Sequence, residues 1–481
     1  MSAEQDTNRW KAMSVALVAG FMTLLDVSIV NVALPAIRAD LDLSPGGLQW
    51  VLSGYALTFG LLLVPAGRFG DARGRRNLFI VGLALFTLAS AAAGLATSAL
   101  WLIIARLVQG AAAGVVNPQV SGLIQQLFKP AERGRPFGLL GATIGISTAV
   151  GPLLGGLLIQ VFGAEQGWRW IFFINVPIGI AAIVLGYRWI PARRADQQDR
   201  QSLDSVGVLL LGLGVLLILL PLVQEREWQG PAKWLLLVAG LGVLGGFLAW
   251  ERRYAAHGTP VIELGLFKQR SYGLGALIGL LYFAGFTTIF FIYTLYLQNG
   301  LGYSALLAGL AITPFALGSA GAAALGGRIV NRYGRPLVAT GLTLVAVGLG
   351  GTVLALDLVR GTNGGWAAAF PLLIAGLGSG LVISPNQTLT LADVPVERAG
   401  SAGAVLQTGQ RIGTAVGIAV VGAVFFNRLA AGNNDWSAAL RMGLLVTIGL
   451  VLVALVAALA DVVAARRDKT SEPVEGTLAR R

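Results

Sequence analysis

Fourteen runs of about 20 mostly apolar residues follow one another along the chain, and this pattern restricts what it can fold into. A helix of that length crosses the hydrocarbon core of a bilayer, where every backbone N–H and C=O must be paired within the protein. The charged fraction is only 12% of the 481 residues, about half of the usual share in soluble domains. We therefore predict an all-α integral membrane protein with fourteen transmembrane helices.

Composition excludes several classes of site. The chain has no cysteine and a single histidine, His257, so the usual cysteine and histidine metal clusters cannot form. It also lacks a P-loop of the type G-x-x-x-x-G-K-[ST] and a recognisable Ser/His/Asp set. We predict no enzymatic activity, no metal and no cofactor. The net charge of +12 does not indicate a nucleic-acid partner, because the basic residues are spread over alternate loops.

The basic residues favour one orientation in the membrane. Most of the 35 Lys and Arg residues fall in the loops on the side of the N-terminus and in the C-terminal tail. Because basic residues concentrate in cytoplasmic loops, we predict that both termini and the 67–77 loop are cytoplasmic and that the 224–231 loop is external. The first apolar run has full spanning length and no A-x-A cleavage site, so we interpret it as a retained span. The expected location is the cell membrane.

One motif occurs twice and suggests two related halves. "GRFGDARGRR" (67–76) follows the second apolar run, and "GGRIVNRYGRP" (326–336) follows the tenth. The copies occupy equivalent places in two six-span halves if the seventh and eighth runs are an insertion, and such repeats are typical of transporters. The predicted division is an N-terminal six-helix bundle (1–190), a cytoplasmic linker (191–205), two inserted helices (206–250), a cytoplasmic connector (251–271), a C-terminal six-helix bundle (272–463) and a cytoplasmic tail (464–481).

A carboxylate interrupts the first apolar run, "FMTLLDVSIVNVALP" (21–35). Holding Asp26 ionised among Val, Ile, Leu and Ala is costly, so an acid in this position is a candidate for function. Arg106, in the fourth run, lies at a similar expected depth. A cation beside the carboxylate favours the ionised form, whereas burial without the cation favours the protonated form. We predict that Asp26 and Arg106 form a proton-coupling pair, with a static structural ion pair as the alternative.

Four short motifs resemble those of the major facilitator superfamily, in its fourteen-span drug:proton antiporter branch. They are "LDVSIVNVALP" in the first run, "GRFGDARGRR" after the second, "RLVQGAAAG" (106–114) in the fourth and "GISTAVGPLLGG" (145–156) in the fifth. The chain departs from the family pattern after Asp71, where Ala72 stands in place of a basic residue and Arg73 follows one position later. The resemblance covers residues 10–465, which is most of the chain.

The resemblance implies a proton-driven antiporter that exports lipophilic drugs or antibiotics across the cytoplasmic membrane by alternating access. Its expected partners are protons, a small lipophilic substrate and the lipid bilayer, and we expect a monomer. The implied conformational latch consists of Gly67, Asp71, Gly74, Arg75 and Arg76. The second copy of the motif carries Asn331 in place of the acid, so its latch should be weaker. The implied exporter motif, a pivot in the fifth helix, consists of Gly145, Gly151, Pro152, Gly155 and Gly156.

The substrate cavity is less sharply defined by the sequence. An aromatic face on the ninth run suits a lipophilic substrate, although such faces more often serve packing. The candidate cavity residues are Asn31, Gln109, Asn117, Tyr282, Phe286, Phe290, Tyr293 and Arg411. Arg411 has no acid at its expected depth, and it is either a substrate contact or a hydrogen-bond hub for its polar neighbours, namely Asn386, Gln387, Gln407 and Gln410.

Other substrates and other functions remain open from the sequence. Asp26 is the only acid that we expect to be well buried, so monovalent cations or neutral lipophilic compounds should be transported better than dications. Export of an endogenous lipid or metabolite is the alternative within transport. A channel or a membrane enzyme is the alternative outside it; the two-half repeat and the intramembrane acid favour a carrier.

Overall fold

A computed structural model of the chain describes residues 3–192, 204–224, 228, 230–359, 361–432 and 434–471. Every regular element in these residues is helical, and the long helices are numbered here α1 to α14. Their bounds are Ala3–Leu41 (α1), Pro45–Arg73 (α2), Arg75–Gly94 (α3), Ala99–Leu127 (α4), Gly134–Phe173 (α5), Asn175–Trp189 (α6), Ser205–Val223 (α7), Lys233–Tyr254 (α8), Arg270–Leu295 (α9), Ala305–Tyr333 (α10), Arg335–Leu358 (α11), Ala369–Thr390 (α12), Ala399–Ala431 (α13) and Trp436–Ser471 (α14).

The number of crossings agrees with the sequence. Within the described residues, 14 segments are long and apolar enough to span a membrane, which confirms the predicted all-α membrane fold. The fifth and sixth crossings meet inside α5, where Gly163 adopts a φ of 81°. Glycine takes a positive φ without the usual steric cost, so the chain reverses there in a tight turn. The sixth crossing, Glu165–Trp189, therefore combines the end of α5 with α6.

An even number of crossings places the start of α1 and the end of α14 on one face of the bundle, called here the terminal face. Contacts between distant helix ends agree with this arrangement. At the terminal face, Arg9 pairs with Glu132 at 2.7 Å. At the opposite face, Asp40 accepts hydrogen bonds from Trp168 Nε1 at 3.0 Å and from Arg169 Nη2 at 2.9 Å.

The first half (α1–α6) and the second half (α9–α14) meet closely where α5 packs on α10. A Cβ on Gly327 would lie 2.3 Å from the carbonyl oxygen of Gly134 and 2.5 Å from Cα of Gly138. Only glycine allows this approach, so the two helices pack backbone against backbone near the terminal face. The division of the chain into two bundles and an insertion stays a prediction.

Helices α7 and α8 pack against each other, and α7 also contacts α2 and α13, one helix from each half. Asp204 caps α7 by accepting a hydrogen bond from the backbone N–H of Gly207 at 2.8 Å. The same carboxylate accepts from Trp250 Nε1 on α8 at 2.9 Å. This shared acid therefore fixes how the two helices meet at the terminal face.

Some predicted segments cannot be compared with the structure. The predicted linker (191–205) and tail (464–481) lie largely outside the described residues. Positions 225–227 and 229 of the predicted external loop are also outside them.

Thiol labelling tests the orientation of the bundle, because the chain has no cysteine of its own. Asn77, at the start of α3, and Thr97, between α3 and α4, are both exposed, on the terminal and the opposite face respectively. We expect Thr97→Cys to react with a membrane-impermeant maleimide in intact cells. Asn77→Cys should react only after permeabilisation. The reverse pattern would place the terminal face outside the cell.

Candidate functional site

Asp26 lies at the centre of a sealed polar site in the first half. Its side chain is completely buried and forms an ion pair with Arg106, through Oδ2 and Nη1. Gln109 Nε2 donates to Asp26 Oδ1 at 2.8 Å, and Gln109 Oε1 accepts from Arg106 Nη1 at 2.8 Å. Gln109, which we predicted to line the cavity, is itself fully buried and bonds both members of the pair. Helices α1 and α4 are thus joined by a charged, fully paired network inside the membrane.

Arg106 is fixed from a third helix as well. Its Nε donates to the carbonyl oxygen of Val51 on α2 at 3.1 Å. Its guanidinium carbon lies 4.4 Å from the centre of the Tyr55 ring and 5.7 Å from that of Phe172. A desolvated cation gains from such aromatic faces. The charge of Arg106 is therefore balanced by a carboxylate, by oxygen acceptors and by aromatic rings, with only 1% of the residue exposed.

Two residues of this site were missed by the sequence analysis. Asn175 Nδ2 donates to Asp26 Oδ1 at 3.2 Å and to Ser90 Oγ at 3.1 Å. Ser90 in turn donates to the carbonyl oxygen of Phe172 at 2.9 Å. The available signal was a lone amide in the apolar stretch "FFINVPIG" (172–179), comparable with the lone acid that identified Asp26. Asn175 Oδ1 is buried and has no hydrogen-bond partner among the described residues.

The residues of the first motif copy connect the two halves at the terminal face. Asp71 accepts hydrogen bonds from the backbone N–H groups of Gly400 at 2.9 Å and of Ser401 at 2.7 Å, at the start of α13. Its other partner is Arg75, whose Nη2 lies 2.7 Å from Asp71 Oδ1. A carboxylate at a helix N-terminus satisfies free N–H groups and meets the positive end of the helix dipole. Asp71 thus holds α2 of the first half to α13 of the second.

Neighbouring motif residues support this contact. A Cβ on Gly67 would lie 2.6 Å from the carbonyl oxygen of Gly400, so only glycine permits the approach of α2 to α13. Gly74 has a φ of 105° and forms the turn between α2 and α3. Arg75 Nη2 also donates to the carbonyl oxygen of Val396. Arg76 instead stays within the first half, where it donates to the carbonyl oxygen of Tyr187 at 2.6 Å.

The second motif copy is built differently. Asn331 Nδ2 donates to the carbonyl oxygen of Ala131 at 2.6 Å, so this contact also joins the halves but carries no charge. Arg335, at the position equivalent to Arg75, pairs instead with Asp461 on α14 at 2.9 Å. Its acid therefore comes from a distant helix within the same half.

The predicted exporter motif sits between two helices. Gly151 and Gly155 pack on α1, and a Cβ on Gly151 would lie 2.0 Å from Ser28 Oγ. Gly145 faces α10, where an added Cβ would lie 3.0 Å from the backbone nitrogen of Ala320. Pro152 and Gly156 also face α10. The motif thus lets α5 approach the helix that carries Asp26 and, on its other side, the second half.

The remaining cavity candidates do not form one group. Asn31 is exposed and bonds within α1, whereas Asn117 Nδ2 donates to Thr23 Oγ1 at 3.1 Å inside the first half. The aromatic candidates of α9 lie in the second half, where Phe315 of α10 packs against two of them, Phe286 and Phe290. Tyr293 donates to the carbonyl oxygen of Gly365 at 2.9 Å. The aromatic face is therefore used at least partly for packing.

Arg411 lies where the two halves meet. Its guanidinium carbon is 4.4 Å from the centre of the Phe59 ring on α2. Three of the four amides that we proposed as its neighbours are engaged elsewhere: Asn386 Nδ2 donates to the carbonyl oxygen of Gly275, and Gln387 and Gln407 both donate to Ser121 Oγ. These contacts do not build the hydrogen-bond hub that the sequence suggested.

The expectation that Asp26 would be the only well-buried acid is wrong. Asp204, Glu251 and Asp461 are each at most 2% exposed. Sequence depth misled us because these acids lie near helix ends, where partners from other helices cover them. Glu251 Oε1, for example, accepts a hydrogen bond from the backbone N–H of Val261 at 3.2 Å. The predicted preference for monovalent or neutral compounds over dications relied on a single buried acid, so the structure no longer supports it.

A charged pair sealed inside one half, in a bundle whose two halves are joined at one face, is typical of solute carriers. Comparison with known proteins gives the family. Residues 16–418 match the model of the Major Facilitator Superfamily. The chain therefore belongs to this family of membrane transporters, which are not enzymes, as the sequence predicted.

Curated relatives cover most of the chain. It is 38% identical over 426 residues to the "Probable actinorhodin transporter" of Streptomyces coelicolor, covering 88% of this chain and 73% of the relative. It is 36% identical over 437 residues to the "Puromycin resistance protein pur8" of Streptomyces alboniger, covering 89% and 84%. The solved structure of a human organic anion transporter, TETRAN, superposes with a TM-score of 0.68 over 94% of this chain and 99% of that chain. At 14% identity, this last likeness shows the fold alone.

The contact between Asp71 and α13 predicts a measurable effect on opening at the terminal face. Asp71→Asn removes the charge that caps α13 and pairs with Arg75, which should favour separation of α2 from α13 by about 10-fold. The probe is Ala404→Cys, which is fully buried in this contact. Its labelling by a small maleimide should be faster in the Asp71→Asn background.

Asn331→Ala, at the equivalent position of the second copy, is the matched control, because it removes an uncharged contact. It should change labelling of Ala404→Cys much less. Equal rates in the Asp71→Asn background and in its parent would show that the carboxylate does not hold this face closed.

Proposed function

We propose that this transporter is a proton-driven antiporter that exports small lipophilic, antibiotic-like compounds across the cell membrane by alternating access. The observation that carries the proposal is the completely buried Asp26, paired with Arg106 and bonded by Gln109 and Asn175. It works as a monomer, with the terminal face in the cytoplasm.

The arrangement around Asp26 suits reversible proton binding. In the arrangement described above, the carboxylate has a cation and two amide donors, all of which favour its ionised form. A movement of α1 relative to α4 that separates Asp26 from Arg106 would leave a desolvated carboxylate, which then takes up a proton. The partners come from α4 and α6, so a motion among these helices changes the contacts of the carboxylate.

The exporter motif provides a route from this site to the second half. Helix α5 packs through Gly151 on α1, close to Asp26, and through Gly145 on α10. A movement of α1 is therefore transmitted through α5 to its contact with α10 of the second half. The closed terminal face, held by Asp71 and by the contact of Gly134 with Gly327, corresponds to one of the two states that alternating access requires.

The energetics are adequate for this function. One proton that moves inward through 100 mV releases about 2.3 kcal/mol, which sustains a ~50-fold gradient of a neutral solute. The substrate class rests on relatives of the chain, which include the "Probable actinorhodin transporter" and a puromycin resistance protein. Another relative, 29% identical, is the "Riboflavin transporter RibZ" of Clostridioides difficile. Transport assays should therefore include metabolites as well as antibiotics.

Replacing the central acid tests the proposal directly. Asp26→Asn keeps the shape of the side chain, but an amide does not bind and release a proton as a carboxyl group does. Export driven by an imposed pH gradient in proteoliposomes should therefore stop. The matched control is Asp42→Asn, because Asp42 is exposed and has a φ of 48°, which asparagine tolerates. Continued uphill export by Asp26→Asn, with normal expression, would show that another group carries the proton.

Removing the cation should impair proton release. Arg106→Ala leaves Asp26 buried without its ion-pair partner, so substrate-driven proton release should be lost. Substrate-driven proton release from purified protein, followed with a pH-sensitive dye, is the measurement. Arg169→Ala, which removes the partner of Asp40 at the opposite face, is the control. Proton release by Arg106→Ala at the wild-type level would contradict the coupling role of the pair.

A further inference from the structure

Arg411 is a cation without a counter-charge at the interface between the halves. Among the described residues, neither a hydrogen bond nor an ion pair holds its guanidinium, and its contact is with the Phe59 ring at 4.4 Å. A guanidinium offers five N–H donors, which normally find oxygen acceptors when they leave bulk water. Arg411 therefore has free donor capacity inside a membrane protein.

Arg106, by contrast, has all of these partners. Arg106 is 1% exposed and has a carboxylate, a backbone carbonyl and a side-chain amide as acceptors. Arg411 keeps intermediate exposure, so a molecule the size of water reaches it. A cation retained in a span without a partner is costly, and such residues in membrane proteins mark substrate or ion pathways.

The two cations lie at the ends of one aromatic pair on α2. The rings of Tyr55 and Phe59 stack with centroids 6.1 Å apart. Arg106 lies over Tyr55 and Arg411 over Phe59, each at 4.4 Å. Arg106 is neutralised by Asp26 within the sealed pair. Arg411 thus offers an uncompensated positive charge to a ligand that binds between the halves.

We propose that Arg411 is a specificity-determining residue that binds an anionic group of the substrate, so that the protein prefers lipophilic compounds carrying one negative charge. The guanidinium provides the counter-charge, and its planar fork matches a carboxylate or sulfonate. The buried Phe59 ring, held against Tyr55, positions the guanidinium from α2. This assignment rests on the proposed export function and narrows its substrate class.

A fixed-charge probe pair separates charge from pH effects. Anthraquinone-2-sulfonate stays anionic over the whole working range, and anthraquinone-2-sulfonamide is its neutral counterpart of similar shape. Binding is measured on purified protein by quenching of tryptophan fluorescence and by thermal stabilisation. We expect wild-type protein to bind the sulfonate more tightly. Arg411→Gln should weaken sulfonate binding by about 10-fold or more, the loss of a charge-assisted hydrogen bond, and leave sulfonamide binding nearly unchanged.

Two variants control the experiment. Arg328→Gln removes one positive charge from an exposed position of α10 and should change neither affinity. Arg411→Lys keeps the charge and should retain the preference for the sulfonate; it decides the question if Arg411→Gln does not fold. No preference in the wild type, equal weakening of both probes in Arg411→Gln, or loss of the preference in Arg411→Lys would each overturn the assignment.

Transport measurements with the two probes distinguish failure of the anion site from failure of the proton antiport. In proteoliposomes, exporting the sulfonate in exchange for a proton moves one more positive charge inward than exporting the sulfonamide. An inside-negative potential should therefore accelerate sulfonate export more strongly. If Arg411-dependent sulfonate binding is present but a pH gradient drives neither probe, the proton antiport fails and the anion site stands. If both probes are exported with equal dependence on Arg411, the antiport stands and the anion site fails.

Discussion

The ion pair between Asp26 and Arg106 is the interaction on which the rest of the first half depends. Desolvating two charges costs several kcal/mol per ion, and the mutual attraction offsets this only when the remaining donors and acceptors are also satisfied. Gln109, Asn175 and the carbonyl oxygen of Val51 meet that condition. Because these groups come from α1, α2, α4 and α6, the pair fixes the register of four helices at once.

A buried charge is also satisfied at the terminal face, but by backbone groups. Asp71 accepts hydrogen bonds from backbone N–H groups of the other half, whereas Asn331, at the equivalent position of the second copy, donates from an uncharged amide. The two repeats therefore share a backbone turn at Gly74 and Gly334 but differ in what crosses between the halves. Of the two copies, the first supplies a charge that crosses between the halves and the second does not, which makes the latch asymmetric.

The sequence predicted what depends on local pattern, and it missed what depends on helix register. The length of the apolar runs predicted fourteen crossings. The similar depth of Asp26 and Arg106 in the membrane predicted that they form a pair, as they do in the structure. The lone amide of Asn175 marks a candidate, but its contacts with Asp26 and Ser90 could not be predicted, because an amide in an apolar run does not show which distant helix it faces. Asp461 was overlooked for the related reason that its partner, Arg335, lies more than a hundred residues away along the chain.

The way α7 and α8 are attached has a consequence for the surrounding lipid. Apolar contacts hold helices together weakly in a bilayer, since acyl chains solvate leucine as well as another helix does. The polar contacts of this pair, Asp204 with Trp250 and Glu251 with Val261, lie at its terminal-face end. A mismatch between the bilayer and the apolar length of these helices is accommodated by a change in their tilt. Because α7 touches α2 and α13, the thickness of the membrane becomes a variable that acts on the contact between the two halves.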